Sequence, residues 1–469
     1  MSYVHDLENI IAQHADETIE ISDKIWEYAE PRFEEYRSSK EIADYLEKQG
    51  FEITWNLGDA KTAFVAQWGA GKPVIAFLGE YDSLNGLSQQ ADCDVHTPIA
   101  KDGHGCSHNL LGAGSMAAAV AIKEYMVEKG LLGTIRFYGC PAEENAGGKA
   151  FLVKDGCFDD CDIALTWHPS WTNRIIHSGS LANVRVFFTF HGISAHAAGS
   201  PHLGRSALDA VELMNVGVNY MREHMIDDAR IHYAVTNTGG TAPNIVQSEA
   251  QVLYAIRAPK VSQVKELFDR VCKVAQGAAL MTETEVEIKQ VAAYANYIAS
   301  EPILERMRMH MDTSLPLEYT DEEIAYAARF RKVITPLDEQ GLRETAKTYA
   351  SLTDEDLTTA PLWNLRLPDC PMGGSTDVGD VSWVCPTGQF YANTKAAGTA
   401  GHSWQTTAQG KTGIAYKGML LAAKVLAATA YDFLTDPALV NKAREDWLSS
   451  LDGETYPGLL PKDAKPEIW

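Results

Sequence analysis

Two histidines and a cysteine fall within five residues at His104-Gly105-Cys106-Ser107-His108. Cys106 and His108 stand two positions apart, so both side chains reach one point only where the backbone is extended or looped. The glycines at 103 and 105 permit that, and a helix does not. A thiolate and an imidazole at this spacing suit zinc, manganese or a similar divalent ion. A small buried thiol beside a helix-capping histidine is the competing reading, and for this pair alone the two are evenly matched. The rest of the chain tips the balance.

Further candidate ligands follow apolar runs. Pro73 to Leu78 is continuously apolar and ends in Gly79-Glu80-Tyr81-Asp82, as a buried parallel strand does when polar groups wait at its carboxyl end. Thr134 to Tyr138 runs into Cys140-Pro141-Ala142-Glu143-Glu144, and Asp162 to Thr166 into Trp167-His168-Pro169. Helical segments separate these strands, one of them the Ala-rich stretch Ser115 to Tyr125. The alternation implies a largely parallel sheet with Asp82, Glu143, Glu144 and His168 gathered in one crevice beside Cys106 and His108. A Glu-Glu dipeptide by itself is usually solvated surface. Behind an apolar strand, with Cys-x-His upstream, it reads instead as one carboxylate for a metal and one for proton transfer.

Composition narrows the class. The 469 residues suggest two or three domains, and 45% hydrophobic against 22% charged residues describes a globular protein with ample core. A formal net charge of −23 argues against nucleic acid and against an anionic membrane surface as partners. No apolar run approaches transmembrane length, and Met1 to Asp6 shows no basic region followed by an apolar one. Eight irregularly placed cysteines do not make a disulfide framework. A cytoplasmic protein is the expectation.

The texture changes near Ser180. A half-exposed strand, Asn183 to Phe190, leads into Ser194-Ala195-His196. A helix (Ser206 to His224), a strand near Ile231, the turn-rich Asn237 to Asn244, a strand (Ala250 to Arg257), a helix (Val261 to Ala279) and a strand (Thr284 to Lys289) complete the unit. That order is ferredoxin-like α+β. The expected architecture is therefore an α/β catalytic domain with a mostly parallel sheet, residues 1–179 and 291–469, carrying an inserted α+β domain, residues 180–290. The acidic stretch 301–359 reads as mostly helical, without obvious chemistry.

Taken together, Gly79-Glu80-Tyr81-Asp82, His104 to Asn109, Glu143-Glu144, Ser194-Ala195-His196 and Gly401-His402-Ser403 resemble the aminoacylase/carboxypeptidase family of co-catalytic metallopeptidases. The likeness is to its amidohydrolase branch, where Cys-x-His replaces the usual bridging aspartate. The resemblance covers almost the whole chain and is weakest between about 295 and 370. It implies a pair of divalent ions, Mn or Zn, on Cys106, His108, Glu144, His168 and His402. It also implies Glu143 as general base, Asp82 as the carboxylate orienting a ligand, and a thiolate shared between the ions. The wider family has a histidine ligand where this chain has Glu80, so the division of ligands between the ions stays open.

The resemblance makes the inserted domain a dimerisation or lid domain, with His196 stabilising the oxyanion in a neighbouring subunit's site. The bland alternative for His196 is a cap for the helix at Ser206. Asn244 and Arg257 match positions that bind the substrate's carboxylate, although a lone arginine near a strand end is more often a surface ion pair. Trp167, Trp171, Trp383 and Trp404 adjoin motif residues and could stack on an aryl group, with core packing the plainer reading for each. Cys93, Cys140, Cys157, Cys161, Cys272, Cys370 and Cys385 read as buried thiols. The implied activity is hydrolysis of the amide of an N-acyl amino acid, foremost p-aminobenzoyl-glutamate, by a homodimer or a hetero-oligomer with a related subunit. The alternatives are a dipeptidase or aminoacylase, or a non-catalytic partner subunit.

Overall fold

A computed structural model describes residues 2–349 and 356–468. Its larger sheet holds, among the described residues, eight strands. In spatial order these are Glu52–Trp55, Phe64–Ala70, Gly133–Cys140, Val74–Glu80, Ile163–Ser170, Thr387–Asn393, Arg174–Ser178 and Cys370–Pro371. The middle four run parallel to one another, and the strands flanking this block pair with it antiparallel. Every residue of Val74–Glu80 is buried, as expected of a strand covered on both faces.

One face carries the helices Ser2–Gln13, Ala15–Tyr28, Tyr36–Lys48, His108–Lys129 and Gly413–Thr435 over a continuous apolar core. Two of these, His108–Lys129 and Gly413–Thr435, are long and apolar enough to cross a membrane, against the expectation from sequence that no run approached that length. Both are mostly buried inside the protein, 83% and 72% of their apolar windows. They pack against each other and against the sheet, which is why their buried stretches are apolar. Gly112 lets the first approach the sheet, because a Cβ there would stand 2.6 Å from the Glu80 carbonyl oxygen.

The other face carries the helix Gly148–Lys154, and its core continues beneath a second sheet. That sheet is antiparallel throughout, in the order Arg230–Asn237, Glu249–Ala258, Ala182–His191, Glu285–Tyr294. The helices Ala207–Met221 and Val261–Thr282 cover it. With the strands numbered along the chain within this unit, the order is 2-3-1-4, the ferredoxin-like arrangement. Ser206 caps the first helix by accepting from the Asp209 N–H at 3.1 Å. Beyond the unit lie helices Glu301–Ser314, Asp321–Arg331 and Pro336–Tyr349; the part of the stretch 301–359 at 350–355 lies outside the described residues.

Candidate metal centre

Three short segments bring the candidate ligands to the carboxyl end of the parallel strands, and each turns through the left-handed region at a residue that is not glycine. Ser107 has φ 63°, Ala142 φ 60° and His402 φ 53°. Such conformations cost of order 1–3 kcal/mol each and persist where the surroundings hold them. The Ser107 turn solves the spacing problem of Cys106 and His108. Contrary to the expectation of a loop through both, His108 is the first residue of the helix His108–Lys129 and Cys106 lies just before it. Gly103 and Gly105 serve close approach instead, since a Cβ on either would stand within 2.4 Å of Leu87. Glu143 opens the short helix Glu143–Ala146 directly after the strand Gly133–Cys140. His402 is tied to the first segment by its N–H, which donates to the Gly105 carbonyl at 2.9 Å.

The side chains converge in two groups that share one sulfur. Donor atoms of Cys106, His108 and His168 lie within 4.8 Å of one another, and so do those of Cys106, Glu144 and His402. A third group, Glu80, His108 and Glu143, adjoins them. Cys106 Sγ is 3.4 Å from His168 Nε2, and His402 Nε2 is 3.2 Å from Glu144 Oε2. Asp82 orients two of these residues at once: its Oδ1 lies 2.8 Å from His108 Nδ1, and its Oδ2 accepts from the Glu144 N–H at 3.0 Å. His168 Nδ1 is fixed at 2.9 Å from the Pro169 carbonyl oxygen.

What remains unpaired tests whether a cation fits. Glu80 Oε2, His108 Nε2 and Glu144 Oε1 are buried without a hydrogen-bond partner. They face one another, His108 Nε2 standing 3.3 Å from Glu80 Oε2 and 3.9 Å from Glu144 Oε1. Leaving such groups unsatisfied is costly, and cations held beside them would answer that cost. The donor set of thiolate, imidazoles and carboxylates suits divalent metal ions.

The electrostatics point the same way. Burial would push the Cys106 thiol up, but His168 and His108 outweigh it and hold the group well below its usual range. Burial would lower His108, yet Asp82 and Cys106 hold it well above the ordinary imidazole value. His402 is pushed up to about 11, through its contacts with Cys106 and then Glu144. The cluster thus recruits positive charge, and protons and divalent ions compete for it. Glu143 is raised well above the usual carboxylate range, chiefly by burial and then by Glu80, Asp377 and Glu144.

Beneath the cluster lies a triad that sequence reasoning missed. Lys149, fully buried, donates to Glu80 Oε1 at 2.5 Å and to Asp377 Oδ1 at 2.6 Å. Lys149 follows the Glu-Glu segment through Gly148, where a Cβ would stand 1.9 Å from the Pro141 carbonyl oxygen. A lysine in an apolar helix is the signal that could have revealed it: no solvated position was left for its charge.

A cavity of about 270 Å³ opens beside the cluster, lined by Cys106, Glu143, Glu144, His168 and His402 on one side. Arg257 lines it too, donating to Ser375 Oγ at 3.0 Å. Asn244 and His196 do not line it. Both are exposed on the second sheet's unit, adjacent to each other, with the Ala197 N–H donating to the Asn244 carbonyl at 3.0 Å. The tryptophans lie elsewhere: Trp167 is fully buried in the core, Trp383 is buried, Trp171 packs on Trp363, and Trp404 stacks on His96. The aromatic rings that do line the cavity are Tyr294 and Tyr391. Of the seven thiols expected to be buried, Cys140, Cys161 and Cys385 are; Cys93, Cys157, Cys272 and Cys370 are half-buried, sitting in loops, on a helix flank and on an edge strand.

Residues 177–280 match the model of a peptidase dimerisation domain. The chain is 45% identical to a subunit of the p-aminobenzoyl-glutamate hydrolase of Escherichia coli (strain K12), over 95% of this chain and 95% of that protein. Its fold is similar to that of aminobenzoyl-glutamate utilization protein from Klebsiella pneumoniae, with a TM-score of 0.62 at 18% identity, covering 91% of this chain and 98% of that one. It is also similar to that of the Bacillus subtilis YXEP protein, a dinuclear metal binding peptidase from the M20 family, with a TM-score of 0.53 at 17% identity over 88% and 99% of the two chains.

Proposed function

The chain belongs to the M20 peptidase family and is a hydrolase of amide bonds; within that class we propose that it cleaves N-acyl amino acids, p-aminobenzoyl-glutamate foremost. The observation that carries the metal-dependent reading is that Cys106 meets His108 and His168 in one group of donor atoms and Glu144 and His402 in another, with Glu80 Oε2, His108 Nε2 and Glu144 Oε1 buried and unpaired among them. Two ligand groups sharing Cys106 support a pair of ions, with the Cys106 thiolate available to both. His108 and His168 would serve one ion, Glu144 and His402 the other. When bound, such ions polarise an amide carbonyl and acidify water.

The protein's own groups divide the remaining work. Glu143, which lines the cavity beside the ligands, would take a proton from the attacking water and return it to the departing nitrogen. Asp82 fixes His108 and the backbone of Glu144. Arg257, in no ion pair among the described residues, offers its guanidinium to a substrate carboxylate, and a planar fork suits a planar anion. An overall charge of −23 makes such a local cationic wall necessary for an acidic substrate.

His196 would reach its target from a second protomer. Its Nδ1 accepts from the N–H groups of Ala198 and Gly199 at 3.2 and 3.0 Å, which leaves the proton on Nε2, a donor facing outward. Asn244 lies beside it and would travel with it. Leu213, Val216 and Tyr220 on the helix Ala207–Met221 are exposed, as are Tyr233 and Val235 on the outermost strand Arg230–Asn237. That strand has no partner on its outer edge among the described residues, so the unit presents an apolar flank for association. The association could join two copies or this chain and a related one. The Escherichia coli relative is named as one subunit of its hydrolase, which supports keeping the second case.

The test is a substrate panel: p-aminobenzoyl-glutamate, indole-acetyl-aspartate, an N-acetyl amino acid and an ordinary dipeptide, each with zinc and with manganese. The expected order places p-aminobenzoyl-glutamate first. A dipeptide as best substrate would overturn the aryl-glutamate reading.

A further inference from the structure

The wall of the cavity opposite the metal ligands is built from the inserted sheet, and its composition is unusual for a protein interior. Asn183 is fully buried there, with neither its amide oxygen nor its amide nitrogen hydrogen-bonded. It stands on the central strand with Arg257 and Tyr294 directly opposite on the two neighbouring strands. The three side chains therefore form a row across the sheet. Opposed residues stand about 4.5–5.5 Å apart at Cβ. Arg185, two residues along the same strand and so on the same face, also lines the cavity.

The polar capacity of this wall is only partly used. Arg185 donates to the carbonyl oxygens of Glu144 and Asn145 and to Asn145 Oδ1, and Arg257 to Ser375 Oγ, while Arg257 Nε is buried without a partner. Neither guanidinium forms an ion pair with a carboxylate among the described residues. Two guanidiniums lining one cavity, beside a buried amide with both atoms unpaired, form a site suited to an anion. A single carboxylate on Arg257 leaves the Asn183 amide unanswered. A second carboxylate on the same ligand answers it, with the positive charge of Arg185 beside it.

We propose that Asn183, backed by the charge of Arg185, is a specificity-determining residue. It donates its amide N–H groups to the side-chain carboxylate of an acidic amino acid whose α-carboxylate lies on Arg257. The chain thereby selects acyl-glutamate or acyl-aspartate over acyl derivatives of neutral amino acids. This inference rests on the acyl amino acid hydrolase reading above and adds to it the residue that reads the second charge.

The experiment compares p-aminobenzoyl-glutamate with p-aminobenzoyl-alanine in the metal-loaded wild type, Asn183→Leu and Asn183→Asp. The ratio of kcat/KM for the two substrates is expected to fall roughly 10- to 100-fold in Asn183→Leu. It should fall further in Asn183→Asp, where a carboxylate faces the incoming one, with the alanine substrate changed least. Calorimetry with glutarate and with butyrate gives a second readout that needs no turnover: glutarate should bind the wild type more tightly than butyrate, and Asn183→Leu should abolish the difference. If both substrates lose rate in parallel, or if the wild type does not distinguish glutarate from butyrate, the proposal is overturned and Asn183 is structural. If glutarate is distinguished but no acyl amino acid is hydrolysed, the subsite stands and the acyl amino acid reading fails.

Discussion

The ligand cluster and the tip of the inserted unit are both places where the chain sets out reactive side chains, yet they are built on opposite principles. At the cluster the groups are buried, crowded with like charge and partly unpaired. Glu143 and Glu144 line the cavity, and Glu80, grouped with Glu143 and His108, is paired with the buried Lys149. At the tip, His196 and Asn244 are exposed, and the His196 ring is already satisfied on one side by backbone N–H groups. On the reading proposed above, ions would complete the first arrangement and another protein surface the second. A site can therefore be unfinished in two senses, and only the first is visible as buried unpaired atoms within one chain.

The comparison can be broken first at the cluster. Glu143→Gln removes the proton acceptor but none of the ligands, so turnover is expected to fall about 10²- to 10⁴-fold with metal content unchanged. Near-normal activity in the metal-saturated variant would remove Glu143 from that role. Lys149→Met should be next in size. Taking one partner from a fully buried charge network typically costs about 3–5 kcal/mol, and here Glu80 and Asp377 would be left facing each other. Urea unfolding measures it, and a loss below about 1 kcal/mol would mean that the triad is not held as charged groups.

How far the sequence anticipates this depends on whether a residue's role is local. Cys106, His108, Glu143, Glu144 and His168 follow recognisable strands or share one motif, so their gathering at the carboxyl ends of a parallel sheet is legible in the sequence alone. The order of elements in the inserted unit is legible for the same reason. Lys149 and Asp377 are not, because their pairing spans 228 positions and depends on a close approach at Gly148. Asn183 and Arg185 are hidden differently. The strand pattern puts both on one face, but only the register against Glu249–Ala258 and Glu285–Tyr294 sets Asn183 between Arg257 and Tyr294. The tryptophans mislead because adjacency in sequence to a motif says nothing of direction; Trp167 alternates with His168 along one strand and points into the opposite core.

Smaller effects sharpen the contrast between the cavity wall and the tip. Arg257→Ala should cost roughly 2–5 kcal/mol of transition-state binding if its guanidinium meets a buried carboxylate. That loss is read as kcat/KM on p-aminobenzoyl-glutamate, and a silent substitution would return Arg257 to a structural role with Ser375. The tip calls for mixing rather than single substitution. Inactive Glu143→Gln and inactive His196→Ala protomers, allowed to exchange, should recover part of the activity, because some sites then receive an intact copy of each residue. No recovery in protomers shown to exchange would confine His196 to its own chain.

The unpaired atoms at the cluster make the most direct demand. Protein purified without added metal and then equilibrated with zinc or manganese should bind a pair of ions per chain by elemental analysis. Cys106→Ala should lose both together, because its sulfur is shared by the two ligand groups. Retention of a full metal complement in Cys106→Ala, or no stoichiometric metal in the wild type, would contradict the account.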